Sequence, residues 1–180
     1  ATPSVGLSYS SGGGAGEVGV GWSMGVQSIE RMRLRGLPQY DETDEFAADG
    51  GSELVRVSAT TTSAIYRRRQ ERAFVRYQWM NRGDGGGGYW VAEYPDGTRN
   101  YYGADETGMP VRTARVETPS GDVYRYMLVA RVDGFGHAVR YRYMKDPAGE
   151  YSLLEEITYV EQAGGSPRFS IGFVYEARPD

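Results

Sequence analysis

The chain has 180 residues, a formal net charge of −4, 26 glycines, 15 tyrosines and no cysteine. This length suits one domain with a core of its own, and the negative charge excludes the broad basic field that binds nucleic acid or anionic lipid. Without cysteine there is no disulfide framework and no thiolate metal site. No apolar run reaches the roughly 18 residues of a membrane span. Tyrosine and glycine together favour strands and tight turns over helices.

The first predicted element is a short half-buried ribbon in which Val5, Leu7 and Tyr9 alternate with small residues. A glycine-rich stretch follows and ends at Gly21-Trp22-Ser23. Residues 14–19 fit the G-x-G-x-x-G pattern of a dinucleotide-binding loop, but the helix and the ribose-binding carboxylate of that fold do not follow. We therefore predict a structural loop that packs against its own sheet and binds no nucleotide.

Residues 25–34 alternate in polarity and predict a second strand, which Gly36-Leu37-Pro38 ends. Carboxylates then gather in one acidic segment, at Asp41, Glu42, Asp44, Glu45, Asp49 and Glu53. Their spacing lacks the regular oxygen positions and the turn glycine of a calcium loop. We predict a solvated turn that packs Tyr40 and Phe46 inward, and we leave open a weak cation site within residues 41–53.

Residues 54–57 predict a short strand, and residues 66–72 form the one concentrated basic run. We interpret this run as an exposed loop that the preceding acidic segment neutralises, and the alternative is a patch for an anion or a partner. Residues 64–80 could also form a helix. Residues 74–80, however, alternate in the manner of a strand, which we prefer. Residues 83–88 predict a flexible glycine tip.

The rest of the chain predicts three hairpins, because alternating segments flank residues that favour turns. The first pairs residues 89–94 with 99–102 around Pro95-Asp96-Gly97-Thr98, the second pairs 122–132 with 137–143 around Asp133-Gly134-Phe135-Gly136, and the third pairs 153–161 with 169–175 around Gly164-Gly165-Ser166. Each has an apolar or aromatic face opposite a polar one. The predicted fold is therefore all-β, with successive antiparallel hairpins forming a curved or sandwich-like sheet and little helix.

No group of residues predicts catalysis. His137 is the sole histidine, and its place after a turn glycine predicts a turn-capping or surface role. Glu155 and Glu156 are adjacent on a strand, so they should point to opposite faces and cannot form an acid and base pair. The serines near the start lack a nucleophile elbow. We assign no catalytic, cofactor-binding or metal-binding residue.

Many segments resemble the SpvB family, which covers the N-terminal region of virulence-plasmid toxins and the B component of insecticidal Tc toxin complexes. They are Leu7-Ser8-Tyr9-Ser10-Ser11-Gly12-Gly13-Gly14, Gly19-Val20-Gly21-Trp22-Ser23, Ile29-Glu30-Arg31, Gly36-Leu37-Pro38-Gln39-Tyr40-Asp41, Asp44-Glu45-Phe46, Gly51-Ser52-Glu53-Leu54-Val55, Trp90-Val91, Asp96-Gly97-Thr98-Arg99 and Tyr102-Gly103. The chain departs from the family's pattern at Glu17-Val18 and at residues 83–88. Residues 133–143 also resemble the tyrosine-aspartate repeats of RHS shells.

The resemblance implies that residues 1–180 are one N-terminal module, a fragment of a much larger toxin or RHS-type protein. Its implied role is non-enzymatic, as part of the shell or delivery apparatus for a separate effector. The implied partners are the remainder of its own polypeptide and other toxin-complex subunits, without nucleic acid, membrane span or small-molecule substrate. The implied location is secreted, with a cytoplasmic stage before export or after delivery.

Two further expectations accompany this role. Some family members carry a C-terminal ADP-ribosyltransferase, an activity that we do not transfer to a chain without any Glu-x-Glu sequence. The alternative function is a glycan- or protein-binding module that uses exposed tyrosines and tryptophans such as Trp79 and Trp90. The strand at residues 169–175 has no lysine or proline to block pairing, so it predicts a free sheet edge that needs downstream chain or self-associates.

Overall fold

The structure is a computed structural model and describes residues 3, 5–12, 15–16, 18–34, 36–71, 73–81, 87–149, 151–161 and 167–176. It is 53% strand and 2% helix, which confirms the all-β prediction. The described strands are β1 (Leu7–Tyr9), β2 (Ala15–Gly16), β3 (Gly19–Val20), β4 (Trp22–Met24), β5 (Ser28–Arg31), β6 (Phe46–Ala48), β7 (Ser52–Ala59), β8 (Ser63–Arg68), β9 (Arg76–Met80), β10 (Tyr89–Glu93), β11 (Arg99–Tyr102), β12 (Arg115–Glu117), β13 (Val123–Val132), β14 (Ala138–Lys145), β15 (Ser152–Glu161) and β16 (Pro167–Gly172). The one described helical turn is 3-10, Arg112–Ala114.

Eight of the described strands close into a barrel-like antiparallel sheet. Strands β5 to β11 follow one another as neighbours, and β13 joins the two ends. Residues 125–127 of β13 pair with β5, whereas residues 128–132 pair with β11. The ten residues of β13 are long enough to pair with different strands along their length. The predicted curved sheet is therefore closed upon itself.

The core lies inside this ring and is rich in aromatic side chains. Alternation along β8 and β10 turns Tyr66 and Trp90 inward, and Trp90 is fully buried. The Trp90 ring lies 4.9 Å from the ring of Phe46 and 4.9 Å from that of Tyr66, both in edge-to-face geometry. Such aromatic pairs contribute about 0.5–1.5 kcal/mol each beyond the burial of their area.

Strands β14, β15 and β16 continue the sheet outward from β13. Val139, Tyr141 and Tyr143 face the core while Arg142 faces solvent, as the predicted alternation requires. The Tyr143 hydroxyl donates to the carbonyl of Leu128 at 2.6 Å, which fastens β14 to β13. All three predicted hairpins are present as strand pairs. The turn predicted at Gly164-Gly165-Ser166 lies outside the described residues.

The N-terminal ribbon differs from its prediction. Within the described residues β1 pairs only with β4, outside the main sheet, and all of β1 is exposed rather than half-buried. Its main support is Trp22 of β4, whose ring lies 5.2 Å from that of Tyr9. Because no core element covers β1, its alternating side chains remain in solvent.

The middle of the chain is more regular than predicted. Strand β7 extends well beyond the predicted residues 54–57. The run at 64–80 is two strands and not a helix, with β8 pairing directly with β9. Residues 83–86 of the predicted glycine tip lie outside the described residues. At its end, however, Gly87 accepts a hydrogen bond from the Tyr126 hydroxyl and Gly88 accepts one from Arg115, so the base of the tip is fixed.

Candidate functional site: interaction surfaces

The acidic segment is a turn that is exposed at residues 41–43, as predicted, and that is fixed by an ion pair at Asp44. The Asp44 carboxylate accepts the backbone N–H groups of Gln39 at 2.9 Å and Tyr40 at 2.8 Å, and it pairs with Arg31 at 2.5 Å. The Arg31 guanidinium covers the ring of Tyr40, which is half-buried, and that of Phe46, which is buried as predicted. Burial of both Asp44 and Arg31 makes their bond part of the fold.

The basic run is neutralised by acidic residues, as predicted. Arg68 pairs with Asp49 at 2.7 Å, and Arg69 pairs with Glu53 at 2.5 Å. Its conformation differs from the prediction, because Arg68 belongs to β8 and not to a loop. Burial raises the pKa of the Asp49 carboxyl, and the charge of Arg68 opposes that rise. Within the part of the chain that the structure describes, no three acidic or histidine side chains are grouped so that they could hold a metal ion.

His137 takes part in the turn between β13 and β14, where it hydrogen-bonds to Asp133. The Asp133 carboxylate accepts the backbone N–H groups of Phe135 and His137, each at 2.9 Å, and lies 3.0 Å from the His137 Nδ1. These hydrogen bonds lower the pKa of Asp133, with the His137 backbone bond as the largest cause. His137 is exposed, so the predicted turn-capping role is confirmed by its contacts.

The prediction for Glu155 and Glu156 was wrong in its geometry. A β-bulge shifts the register between β14 and β15 at this point, so that Arg142 faces Glu156 while Tyr143 faces Leu154. As a result both carboxylates reach one guanidinium, at 3.2 Å each. The extra residue of the bulge breaks the simple alternation of sides. The cluster is a surface ion pair built around one arginine, which gives no acid and base couple.

The glycine-rich opening packs on itself where it is described. Gly21 has a φ of +78°, and a Cβ there would lie 2.7 Å from the carbonyl oxygen of Ser10 and 2.8 Å from the Tyr9 ring. A side chain at this position would need both a left-handed backbone and space that is already filled. Gly13 and Gly14, in the centre of the predicted loop, lie outside the described residues.

The aromatic residues that sequence reasoning proposed for stacking are not on the surface. Trp90 is fully buried, and Trp79 packs against the core. The exposed rings among the described residues include Tyr9 and Trp22 of the ribbon and Tyr151 before β15, together with Phe74, Phe135 and Phe169. Sequence alone did not distinguish these groups, although the glycines beside Trp22 signal a segment without bulky neighbours.

The most extended interaction surface is the free edge of β16. Within the described residues β16 pairs with β15 alone, and every one of its residues is exposed. Phe169 and Ile171 remain 47% and 38% exposed, so their apolar area is only partly covered. Beyond the strand, the Tyr175 hydroxyl donates to the carbonyl of Leu154 at 2.9 Å, which holds the chain along β15. An edge strand is therefore present as predicted, but it spans Pro167–Gly172 instead of residues 169–175 and begins with a proline.

The fold is a closed antiparallel sheet that continues outward into β14, β15 and β16. The chain belongs to the SpvB family, because the family model described as Salmonella virulence plasmid 65kDa B protein matches residues 1–165. Among the described residues there is no helix with the length and apolar character that crossing a membrane requires.

Curated and solved relatives agree with this family. The mono(ADP-ribosyl)transferase SpvB of Salmonella typhimurium is 27% identical over 173 residues, which cover 84% of this chain and 28% of that protein. The N-terminal domain of effector protein SpvB from Salmonella typhimurium strain LT2 superposes with a TM-score of 0.77 at 25% identity, over 93% of this chain and 61% of that one.

Toxin complexes contain the same fold. The crystal structure of TcdB2-TccC3 matches with a TM-score of 0.77 at 26% identity, over 88% of this chain and 9% of that one. A Tc holotoxin pore from Photorhabdus luminescens matches with a TM-score of 0.77 at 26% identity, over 87% of this chain and 8% of that one. The chain therefore spans little more than a quarter of its curated relatives and less than a tenth of these toxin chains.

Proposed function

We propose that residues 1–180 act as a non-enzymatic structural module of a secreted bacterial toxin or RHS-type protein. In this role the module forms part of the shell or delivery apparatus around a separate effector. Its partners are the remainder of its own polypeptide and other subunits of the toxin complex. The observation that carries the proposal is the free edge of β16 in a chain that matches only 28% of the length of its curated relatives.

The edge supports a continued sheet for a physical reason. Unpaired strand edges recruit further strands, and proteins that keep an edge in solvent protect it with charge, proline or a bulge. Strand β16 begins with Pro167 and Arg168, but from Phe169 to Gly172 the edge carries neither a charge nor a proline. A following strand would complete the backbone hydrogen bonds of β16 and cover Phe169 and Ile171.

A catalytic role has no comparable support. The relatives are named as transferases, but the solved relative that superposes over 93% of this chain is an N-terminal domain. The acidic and basic residues discussed above are engaged in ion pairs that fix turns and strands. We therefore assign no activity of those relatives to this module.

A single introduced thiol tests the proposal, since the chain has no cysteine. We would introduce Ile171→Cys into the 180-residue chain and into the longest polypeptide that its gene encodes, and follow alkylation at that site by mass spectrometry. The continued sheet predicts that the thiol reacts readily in the chain and is protected at least tenfold in the longer polypeptide. The matched control is Leu37→Cys on an exposed loop, which should react equally in both.

Equal reactivity of residue 171 in both polypeptides would count against a continued sheet and favour a module that works alone. Protection at residue 171 together with protection at residue 37 would point to general aggregation and would also contradict the proposal.

A further inference from the structure

A cleft of about 570 Å³ opens beside the ring, away from the β16 edge. Its walls are the segment from Trp22 to Ser28, the turn between β6 and β7, and the first half of β13. Ligand pockets in proteins commonly measure about 300–1,000 Å³, so this cleft has the size of a small-molecule site. No contact described above for the shell role involves it.

Aromatic side chains form part of the lining of the cleft. Trp22 is 43% exposed and Tyr151 is 40% exposed, although both are large apolar groups. Tyr124 lines the same cleft with the guanidinium of Arg33 at 5.2 Å and that of Arg125 at 6.0 Å from its ring centre. Aromatic faces carry partial negative charge and attract polarised C–H groups as well as cations. Such faces suit the C–H side of a sugar ring.

Polar side chains also line the cleft. Asp49, at the turn after β6, has one carboxylate oxygen on Arg68 at 2.7 Å, while its Oδ1 is buried without a hydrogen-bond donor among the described residues. Gln27 also lines the cleft, and its Oε1 accepts from the Asn100 side chain at 2.8 Å. A carboxylate oxygen without a donor calls for a hydroxyl group or for a water that a ligand orders.

The charges of the cleft are largely matched. Glu30 pairs with Arg125 at 2.6 Å, and Asp49 pairs with Arg68. Arg33 is the remaining cation of the lining and stacks on Tyr124. Nucleotides and other polyanions need several converging cations, which this set does not offer. A neutral ligand with many hydroxyl groups fits better.

From these observations we infer that the cleft binds one or two rings of a neutral saccharide. Trp22 and Tyr151 stack on the sugar faces, and Gln27 and Asp49, which line the same cleft, receive the hydroxyl groups. This binding site is separate from the shell role and does not depend on it.

Titration of the 180-residue chain with neutral disaccharides tests the inference. Maltose, lactose, cellobiose and N,N′-diacetylchitobiose serve as probes, with glucuronic acid as the acidic comparison. Calorimetry should detect saturable binding of at least one neutral sugar, and Trp22→Ala should weaken it at least tenfold. Tyr151→Ala, on a different element, should weaken it several-fold.

The control is Phe135→Ala, which removes an even more exposed aromatic ring at a turn that does not line the cleft. It should bind as the unchanged chain does, and thermal melting should show that all variants fold. Absence of saturable binding in the millimolar range would overturn the inference. Binding of glucuronic acid alone, or equal binding by Trp22→Ala and Phe135→Ala, would overturn it as well.

Discussion

Gly103 shows how one residue allows two distant strands to approach. It follows β11, has a φ of +71° and donates its N–H to the carbonyl of Met127 on β13 at 2.9 Å. Its own carbonyl accepts from Arg115 Nε at 2.8 Å. A Cβ at this site would lie 2.7 Å from the Tyr126 ring and 3.3 Å from Arg115 Nε. The closure of the ring therefore requires a glycine here.

We expect Gly103→Ala to lower the free energy of unfolding by about 1–3 kcal/mol, because strained backbone and a filled neighbouring site add together. Urea unfolding followed by tryptophan fluorescence measures the change. Gly172→Ala is the control, since its φ is not positive and a Cβ there meets nothing within 4 Å. Equal stability of the two variants would show that Gly103 tolerates a side chain.

At the scale of elements, the two ends of the sheet path differ. Strand β11 is paired on both sides, with β10 and β13, whereas β16 is paired on one side within the described residues. Strand β11 is held within the ring, whereas β16 is held by β15 and by the hydrogen bond that Tyr175 donates to the carbonyl of Leu154. Association of this chain with itself or with other chains should therefore begin at β16.

We predict that Ile171→Lys reduces self-association of the 180-residue chain, because a charge on an edge strand opposes pairing with another strand. Light scattering at increasing protein concentration measures the effect. Leu37→Lys, which places the same charge on an exposed loop, should leave self-association unchanged. A chain that stays monomeric at high concentration without any substitution would contradict this prediction.

At the scale of the whole molecule, several tyrosine side chains are buried away from water. Burial raises the pKa of Tyr102 well above its ordinary value of 10.0, and burial likewise raises the pKa of Tyr77 and Tyr126. The folded chain thus holds these protons more tightly than the unfolded chain. Stability from these groups is complete below pH 10 and is lost as the pH rises above it. Burial lowers the pKa of Lys145, which acts in the opposite direction but through one group.

We therefore expect the melting temperature to fall steeply as the pH is raised above about 10. Thermal melts monitored by circular dichroism across this range test the prediction, with tyrosinate absorbance recorded in parallel. Tyr102→Phe should make the fall less steep, since it removes a fully buried group that must ionise. A melting temperature that does not change with pH, or a fall that is equally steep in Tyr102→Phe, would argue against buried phenols as the cause.

Features that depend on residues close together in the sequence could be predicted, whereas features that depend on distant strands could not. The second hairpin was predictable, because Val139, Tyr141 and Tyr143 alternate next to a turn whose Asp133 supplies its own hydrogen bonds. The bulge beside Glu155 was not, because it depends on how β15 fits a neighbouring strand. Trp22 is exposed and Trp90 is buried, although both are tryptophans, because different elements cover them in the folded chain.

The amino-acid sequence by itself determined the strand-and-turn pattern and the all-β class, because periodicity and turn residues act over a few neighbouring positions. The family was indicated separately, by the resemblance of whole sequence segments. Only the tertiary structure decided the closure of the ring. Closure brings Ser28 opposite Met127 and Tyr101 opposite Ala130, pairs far apart in the chain. Such pairs depend on the accumulated twist of all the intervening strands and on closing long loops, which no short stretch of sequence specifies.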